Sequence, residues 1–211
     1  MAMSDASSIL SASRPVMSVV TITNIADAVP LARALVAGGL PAIEVTLRTA
    51  AGLEAIPAIA AEVEGAIIGA GTVVTPADLA AVEKAGATFA ISPGSTPALL
   101  AAGRDAGIPY IPAVATPSEL MAGLDAGYSA FKLFPATVVG GVSWLKAIGG
   151  PFANVRFCPT GGIDLKTAPD FLALPNVMCV GGSWTTPAAA VAAGDWAGIE
   201  SLAREARTAL G

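Results

Sequence analysis

Histidine is absent from the 211 residues of this sequence, and charged residues of either sign are scarce. Without an imidazole, the chain cannot form a Ser-His-Asp or Cys-His catalytic pair or a zinc site with histidine ligands. Charged residues make up 13% of the chain, about half of the usual share of roughly 25%. The chemistry available to the protein is therefore that of carboxylates, lysine, hydroxyl groups and the backbone.

Basic residues are also too few for a nucleic-acid or anionic-membrane surface. There are 11 Lys and Arg against 16 Asp and Glu, giving a formal net charge of −5 without any basic run.

The mean hydropathy is +0.69, but glycine, proline and asparagine interrupt the longest charge-free stretch, residues 171–194. The first residues lack the features of a signal peptide, and Cys158 and Cys179 stand in apolar runs typical of buried, reduced thiols. We therefore expect a cytoplasmic protein with no nucleic-acid and no membrane partner.

Three segments share a pattern in which Thr-Pro is followed ten residues later by Ala-Gly. Threonine is a favoured N-cap, proline suits the first helical position and glycine supplies a left-handed stop. Each segment therefore predicts one helix. The segments begin at Thr75, Thr96 and Thr116 and end at Gly86, Gly107 and Gly127.

Short apolar runs alternate with these and other predicted helices, as is typical of strands that are buried on both faces of a parallel sheet. We predict an α/β fold, a single (β/α)8 (TIM) barrel over residues 15–211, with residues 1–14 as an N-terminal extension that is a tail or a short helix. An open doubly wound sheet is the alternative, but no G-x-G-x-x-G follows the first strand. The eight candidate strands are residues 16–22, 43–46, 67–70, 89–92, 110–113, 130–133, 155–158 and 177–180.

Lys132 and Glu44 each stand between apolar residues inside a predicted strand, so strand alternation turns both charges towards the barrel interior. Burial favours a neutral, nucleophilic amine that can form a Schiff base with a ketone, and a glutamate beside it can shuttle protons. The alternative is a purely structural ion pair. We expect Lys84, Lys146 and Lys166 to lie in water.

Paired glycines beside a hydroxyl residue follow the last two predicted strands. They are Gly161 and Gly162 next to Thr160, and Gly181 and Gly182 next to Ser183. Glycine lets backbone N–H groups approach an anion, and the loops after strands seven and eight are the usual phosphate site of such barrels. These loops predict a phosphate site, with tight turns alone as the alternative.

Two polar side chains follow the second and third predicted strands. Arg48 can hold a carboxylate through two parallel hydrogen bonds at the barrel mouth, or it can be a solvent-facing loop residue. Thr72 offers a hydroxyl group beside small residues that leave room for a substrate.

Six segments in order along the chain carry a resemblance to a known family. They are EVTLRT (44–49), GAGT (69–72), ISPG (91–94), FKLFPA (131–136), RFCPTGGI (156–163) and VGGSW (180–184). From about residue 15 onwards, the chain resembles the 2-dehydro-3-deoxy-6-phosphogluconate (KDPG) aldolase / 4-hydroxy-2-oxoglutarate (KHG) aldolase family.

The resemblance implies a class I (Schiff-base) aldolase that uses neither metal nor cofactor and forms a homotrimer. Its substrate would be a phosphorylated 2-keto-3-deoxy sugar acid, KDPG, which it would split into pyruvate and D-glyceraldehyde 3-phosphate in the Entner–Doudoroff pathway. KHG would be a further substrate.

The resemblance also implies roles for individual residues. Lys132 would form the Schiff base and Glu44 would be the acid and base. The pyruvate end would contact Arg48, Thr72, Pro93 and Phe134, and the phosphate end Thr160, Gly161, Gly162, Gly182 and Ser183. Two positions depart from the family pattern, because Ala113 stands where glycine is frequent and Ser95 where a larger apolar residue is frequent.

Three alternatives remain beside this hypothesis. A 2-dehydro-3-deoxy-6-phosphogalactonate aldolase would share the lysine and the glutamate, but it typically lacks the TLRT and CPTGG segments. A non-catalytic phosphosugar-binding barrel would use Lys132 and Glu44 as a structural pair. A metal-dependent aldolase is disfavoured because the sequence offers no histidine and no carboxylate cluster as ligands.

Overall fold

The computed structural model describes residues 5–211, in which helices and parallel strands alternate along the chain. The strands are β1 (Val16–Val20), β2 (Ala42–Thr46), β3 (Ile67–Gly71), β4 (Phe89–Ile91), β5 (Tyr110–Ile111), β6 (Ala113–Val114), β7 (Ala130–Leu133), β8 (Arg156–Pro159) and β9 (Val180–Gly182). The helices are α1 (Ala6–Ala12), α2 (Ala28–Ala37), α3 (Ala50–Glu62), α4 (Pro76–Lys84), α5 (Pro97–Asp105), α6 (Pro117–Asp125), α7 (Gly141–Gly149), α8 (Ala168–Leu172), α9 (Ala188–Ala192) and α10 (Trp196–Leu210). The predicted α/β class is confirmed.

The threonine caps of the repeated segment form as predicted. The hydroxyls of Thr75, Thr96 and Thr116 each accept a hydrogen bond from the backbone N–H three residues later, at 3.1, 3.1 and 3.3 Å. In α4 and α6 the carboxylates of Asp78 and Glu119 accept a hydrogen bond from the N-cap N–H of Thr75 and Thr116, which completes a capping box.

The glycine stop is correct for two of the three helices. Gly86 and Gly127 are left-handed, with φ of 91° and 90°. The prediction for Gly107 is wrong, because α5 already ends at an extended Ala106, with φ −68° and ψ 147°. The N–H of Gly107 instead donates to Glu83 Oε1 at 3.0 Å, and a Cβ at Gly107 would stand 2.4 Å from that oxygen. The glycine therefore provides room for a side chain rather than a turn.

The strands form two parallel sheets rather than one continuous ring of eight. One sheet has the order β5-β4-β3-β2-β1-β9 and the other β6-β7-β8. The predicted strand 110–113 appears as β5 and β6, which are separated by Pro112 and belong to different sheets. Proline has no N–H to donate, so the ladder is interrupted at this residue. Single bridges, Phe157–Val177 and Thr160–Gly181, join β8 to the segment that contains β9.

Alternate residues of the strands enter two separate apolar clusters. The interior cluster contains no residue of α2 to α10. Its buried members are Ile9, Leu10, Met17, Ala42, Phe89, Ile91, Ile111, Ala130, Cys158 and Cys179. The outer cluster joins the other strand face to the surrounding helices. Phe131, Leu133, Ile43 and Val45 belong to the outer cluster, so the residues between them face the interior, as predicted for Lys132 and Glu44.

Helix α1 lies within the predicted extension 1–14, of which residues 1–4 are outside the described residues. Its Ile9 and Leu10 are buried in the interior cluster, and the helix contacts β7 and β8. In the part of the chain that the structure describes, no helix has the length and apolar character needed to cross a membrane. Cys158 and Cys179 are buried free thiols, as expected.

Candidate active site

Lys132 and Glu44 meet on the inner face of the two sheets. Lys132 Nζ lies 2.9 Å from Oε1 and 3.1 Å from Oε2 of Glu44, and the two side chains are 6% and 1% exposed. Strand alternation in β7 and β2 brings both side chains to the interior. The other lysines, Lys84, Lys146 and Lys166, are exposed, as expected.

A buried ion pair of this kind is costly to build, because its attraction must offset the desolvation of two charges. Moving one proton from Nζ to the carboxylate turns the pair into a neutral amine and a carboxylic acid within the same hydrogen bond. The arrangement can therefore supply both a nucleophile and a proton donor without any other titratable side chain.

Gly71 makes room for the Glu44 carboxylate. A Cβ at this position would stand 2.1 Å from Glu44 Oε1, far inside van der Waals contact. The absence of a side chain at the end of β3 therefore permits the orientation in which Glu44 meets Lys132.

A cavity of about 580 Å³ opens at the carboxyl ends of the strands. Lys132 and Glu44 do not line it, whereas Phe134 does, and the Phe134 ring centroid lies 5.4 Å from Lys132 Nζ. The ring thus stands at the boundary between the cavity and the amine, at cation–π distance. The predicted site residues that line the cavity are Arg48, Phe134, Thr160, Gly161, Gly162, Gly182 and Ser183.

Arg48 lies in the loop after β2, which two threonines bind to the end of β1 and to the segment that follows β1. Thr46 Oγ1 donates to the carbonyl of Val20 at 3.1 Å, and Thr49 Oγ1 donates to the carbonyl of Ile22. Arg48 lies between the two anchors and is exposed, and it forms no ion pair with any residue from 5 to 211. Its guanidinium is therefore available to an anionic ligand.

The two glycine loops present backbone N–H groups to the same cavity. Gly161 and Gly162 have φ of 106° and 74°, conformations that favour glycine. Among residues 5–211, the N–H groups of Gly161, Gly162 and Ser183 have no hydrogen-bond acceptor. A Cβ at Gly181 would stand 2.1 Å from Thr160 Oγ1, so the loop after β8 is in contact with the end of β9. The geometry suits an anion such as a phosphate ester.

Thr72 and Pro93 lie at the ends of β3 and β4, outside the lining of the cavity. Both are half-buried. Thr72 has φ 61°, a left-handed conformation that is strained for a β-branched residue. Such strain is frequent at functional sites, where the surrounding structure holds it.

The two positions that depart from the family pattern, Ser95 and the β6 residue Ala113, are linked to β5 through hydroxyl groups. Ser95 Oγ is 3.0 Å from the hydroxyl of Tyr110, which donates to Ser92 Oγ at 2.6 Å. Ser92 Oγ also accepts from the N–H of Ala113 at 3.3 Å. Burial raises the pKa of Tyr110. Ser95 therefore serves a buried hydroxyl network, and neither Ser95 nor Ala113 lines the cavity.

Sequence reasoning missed several polar residues of the cavity wall, namely Thr21, Thr23, Asp27 and Thr186. Thr21 follows β1 directly, and Thr23 comes two residues later. The carboxyl end of a barrel strand is the position at which a functional side chain is expected, so the place of these two threonines in the sequence could have indicated them. Residues 5–211 contain no group of three or more Cys, Asp and Glu that could hold a metal ion.

Comparison with known proteins adds a family to this geometry. The family model for KDPG and KHG aldolases matches residues 7–202. The chain is 57% identical over 192 residues to the 2-dehydro-3-deoxy-phosphogluconate aldolase of Pseudoalteromonas atlantica, covering 91% of this chain and 89% of that protein. It is 56% identical over 192 residues to the KHG/KDPG aldolase of Escherichia coli K12, covering 91% and 90%.

A solved structure with the same fold is that of the KDPG aldolase of Legionella pneumophila. It superposes with a TM-score of 0.92 at 49% identity and covers 94% of this chain and 96% of that one. In that crystal structure, pyruvate was captured at low pH as a covalent carbinolamine intermediate.

Proposed function

Because the chain belongs to the KDPG and KHG aldolase family, we propose that it is a class I aldolase that cleaves KDPG into pyruvate and D-glyceraldehyde 3-phosphate. The observation that carries this function is the buried contact of 2.9 Å between Lys132 Nζ and Glu44. The reaction is the aldol cleavage of the Entner–Doudoroff pathway.

Lys132 is the nucleophile of this mechanism. Its neutral amine attacks the C2 ketone, and the carbinolamine that forms loses water to give a protonated imine. The imine accepts the electron pair of the C3–C4 bond when this bond breaks, and the pyruvate part becomes an enamine. Protonation at C3 followed by hydrolysis releases pyruvate and returns the free amine.

Glu44 moves the protons of the same sequence. As a carboxylic acid it protonates the departing hydroxyl of the carbinolamine, and as a carboxylate it accepts the proton of the C4 hydroxyl during cleavage. Its contacts with Nζ at 2.9 and 3.1 Å support this role, because the carboxylate already reaches the atom at which the reaction occurs.

The two anionic ends of KDPG fit the two polar regions of the site. Arg48, Thr72, Pro93 and Phe134 bind the pyruvate end, and Thr160, Gly161, Gly162, Gly182 and Ser183 bind the phosphate. Within residues 5–211 the guanidinium of Arg48 has no ion-pair partner and the N–H groups of Gly161, Gly162 and Ser183 have no acceptor, which supports this division. No step of the mechanism requires a metal or a cofactor.

KHG is a second substrate in this proposal. The E. coli relative is named for both KHG and KDPG, and the KHG molecule shares the 2-keto and 4-hydroxy groups on which Lys132 and Glu44 act. It carries a carboxylate in place of the phosphorylated end.

Several features of the whole protein belong to the same proposal. Residues 15–211 form a closed eight-stranded barrel in which β5 and β6 are one strand interrupted at Pro112, and residues 1–14 are an extension. The bridges from β8 towards β9 and the bond of 2.9 Å from the Lys132 N–H to the Pro112 carbonyl support this closure. The buried free thiols of Cys158 and Cys179 fit a cytoplasmic protein.

The barrel assembles as a homotrimer. Exposed apolar side chains support an association of subunits, because such surface is often buried between chains. Val138 is 79% exposed, and Val74 and Met121 are 51% and 55% exposed. Light scattering on the purified protein measures the number of subunits.

Cleavage assays test the activity. Pyruvate release is followed with lactate dehydrogenase and NADH. The kcat/KM for KDPG is expected to be higher than the kcat/KM for its epimer, 2-dehydro-3-deoxy-6-phosphogalactonate. A higher kcat/KM for the epimer would favour the galactonate aldolase, and binding of KDPG without pyruvate release would favour a phosphosugar-binding barrel. Activity is expected to persist after treatment with EDTA.

A further inference from the structure

Thr21 ends a short chain of hydroxyl groups whose direction is fixed. Thr46 Oγ1 donates its proton to the carbonyl of Val20 at 3.1 Å. The hydroxyl oxygens of Thr21 and Thr46 are 3.0 Å apart. Because a threonine hydroxyl carries a single proton, Thr46 can only accept from Thr21, and Thr21 is the donor of this bond.

The Thr21 hydroxyl therefore faces the cavity as an acceptor. Thr21 is exposed and lines the same cavity as Arg48 and Phe134. Its proton is committed to Thr46, so only oxygen lone pairs remain for a ligand. Ionised phosphate and carboxylate oxygens are acceptors and find no donor at this position, whereas the hydroxyl group of a ligand does.

Thr21 also lies between the two parts of the site. Val19 pairs with Glu44, and Thr21 follows two residues later, directly after the end of β1, where continued alternation turns it to the same side as Val19. The strand β1 is flanked by β2, which carries Glu44, and by β9, which leads into the loop with Ser183. A substrate that extends from Lys132 to the glycine loops therefore passes Thr21.

We propose that Thr21 is a specificity-determining residue that accepts a hydrogen bond from the C5 hydroxyl of KDPG. This inference rests on the proposed function. During cleavage the C4 hydroxyl gives its proton to Glu44, so the C5 hydroxyl is the remaining hydroxyl donor of the substrate. It lies next to the carbon that carries the phosphate, which the glycine loops bind.

Condensation of pyruvate with two aldehydes tests this assignment. D-glyceraldehyde 3-phosphate supplies the future C5 hydroxyl, and 3-phosphooxypropanal has the same length and phosphate but lacks that hydroxyl. Thr21→Val is expected to lower kcat/KM about fivefold for the first aldehyde and to leave the second unchanged, since a neutral hydrogen bond contributes about 0.5–1.5 kcal/mol. Thr21→Ser, which keeps the hydroxyl, is expected to retain the wild-type preference between the aldehydes.

Thr208→Val on the exposed face of α10 is the matched control and should change neither rate. An equal loss on both aldehydes, or no loss on either, would overturn the role of Thr21. A wild-type protein that condenses neither aldehyde would overturn the proposed function and this inference with it, so the two failures are distinguishable.

Discussion

At the scale of single residues, the site depends on small side chains that leave space for large ones. Gly71 admits the Glu44 carboxylate and Gly181 admits the Thr160 hydroxyl, each at a position where a Cβ would stand 2.1 Å from the neighbouring oxygen. Gly71 thereby permits the orientation in which Glu44 meets Lys132, and Gly181 permits the close approach of Thr160 to β9.

Gly71→Ala is expected to lower kcat at least tenfold, because the new Cβ displaces the Glu44 carboxylate, to which we assign the proton transfers, and such a role typically contributes about 10²–10⁴-fold. Pyruvate release measures the rate, and the urea midpoint reports on the stability of the fold. Gly150→Ala is the matched control, since its Cβ would meet only Ala147 O at 3.7 Å. Full activity in Gly71→Ala would contradict the role of this space.

Thr72 has a strained backbone with φ 61°, and such a conformation destabilises the folded state by about 1–3 kcal/mol. Thr72→Gly relieves the strain but loses the hydroxyl, so the free energy of unfolding should stay unchanged or rise by about 1 kcal/mol. The KM for KDPG should rise. Thr72→Ser, which keeps both the hydroxyl and the strain, should keep the wild-type KM. A marked loss of stability in Thr72→Gly would show that the conformation is not strained.

Much of the pair's placement could be predicted from the sequence, because strand alternation alone turns Lys132 and Glu44 to the same side. The direction of the hydroxyl chain through Thr21 could not. It depends on which carbonyl lies beside Thr46, and this follows from the register of β1 and β2.

At the scale of elements, the Thr-Pro segments set where helices begin. Thr75, Thr96 and Thr116 each bind the N–H three residues later, and Asp78 and Glu119 complete two of these caps. Such caps depend on local sequence and could be predicted. The ends of α5 and β5 could not, because Gly107 accommodates Glu83 from another helix and Pro112 interrupts a ladder that only the assembled strands define.

Thr116→Ala is expected to lower the free energy of unfolding by about 1 kcal/mol, since it removes a cap from α6. Thr116→Ser keeps the hydroxyl and should restore most of this loss. Thr96→Ala should cost less, because no acidic side chain completes the cap of α5. Urea denaturation measures all three, and equal stability of wild type and Thr116→Ala would contradict the contribution of the cap.

At the scale of the whole molecule, the strands separate an interior that is largely apolar from an outer layer packed against helices. Titratable groups other than Lys132 and Glu44 are buried as well. The hydrogen bond with Cys158, followed by burial, raises the pKa of Cys179 well above its ordinary value, and burial raises the pKa of Tyr110 and Tyr128.

These shifts predict a loss of stability in alkali. A thiol or phenol whose pKa is higher in the folded than in the unfolded state loses its proton first in the unfolded state. The free energy of unfolding is therefore constant below the unfolded pKa and decreases as the pH rises from the unfolded towards the folded pKa. The urea midpoint should therefore stay level through neutral pH and fall above about pH 8.5 for the thiol and about pH 10 for the phenols. Tyr128→Phe should show a shallower decline above about pH 10. A decline as steep as that of the wild type would contradict the contribution of Tyr128.

Reductive trapping is the direct test of whether Lys132 forms a Schiff base. The wild-type protein is treated with borohydride in the presence of pyruvate, digested and mapped by mass spectrometry, with the exposed Lys146 as the internal reference. We expect one reduced pyruvate adduct, on the peptide that contains Lys132, and none without pyruvate. An adduct on another lysine, or no adduct in a protein that releases pyruvate from KDPG, would contradict it.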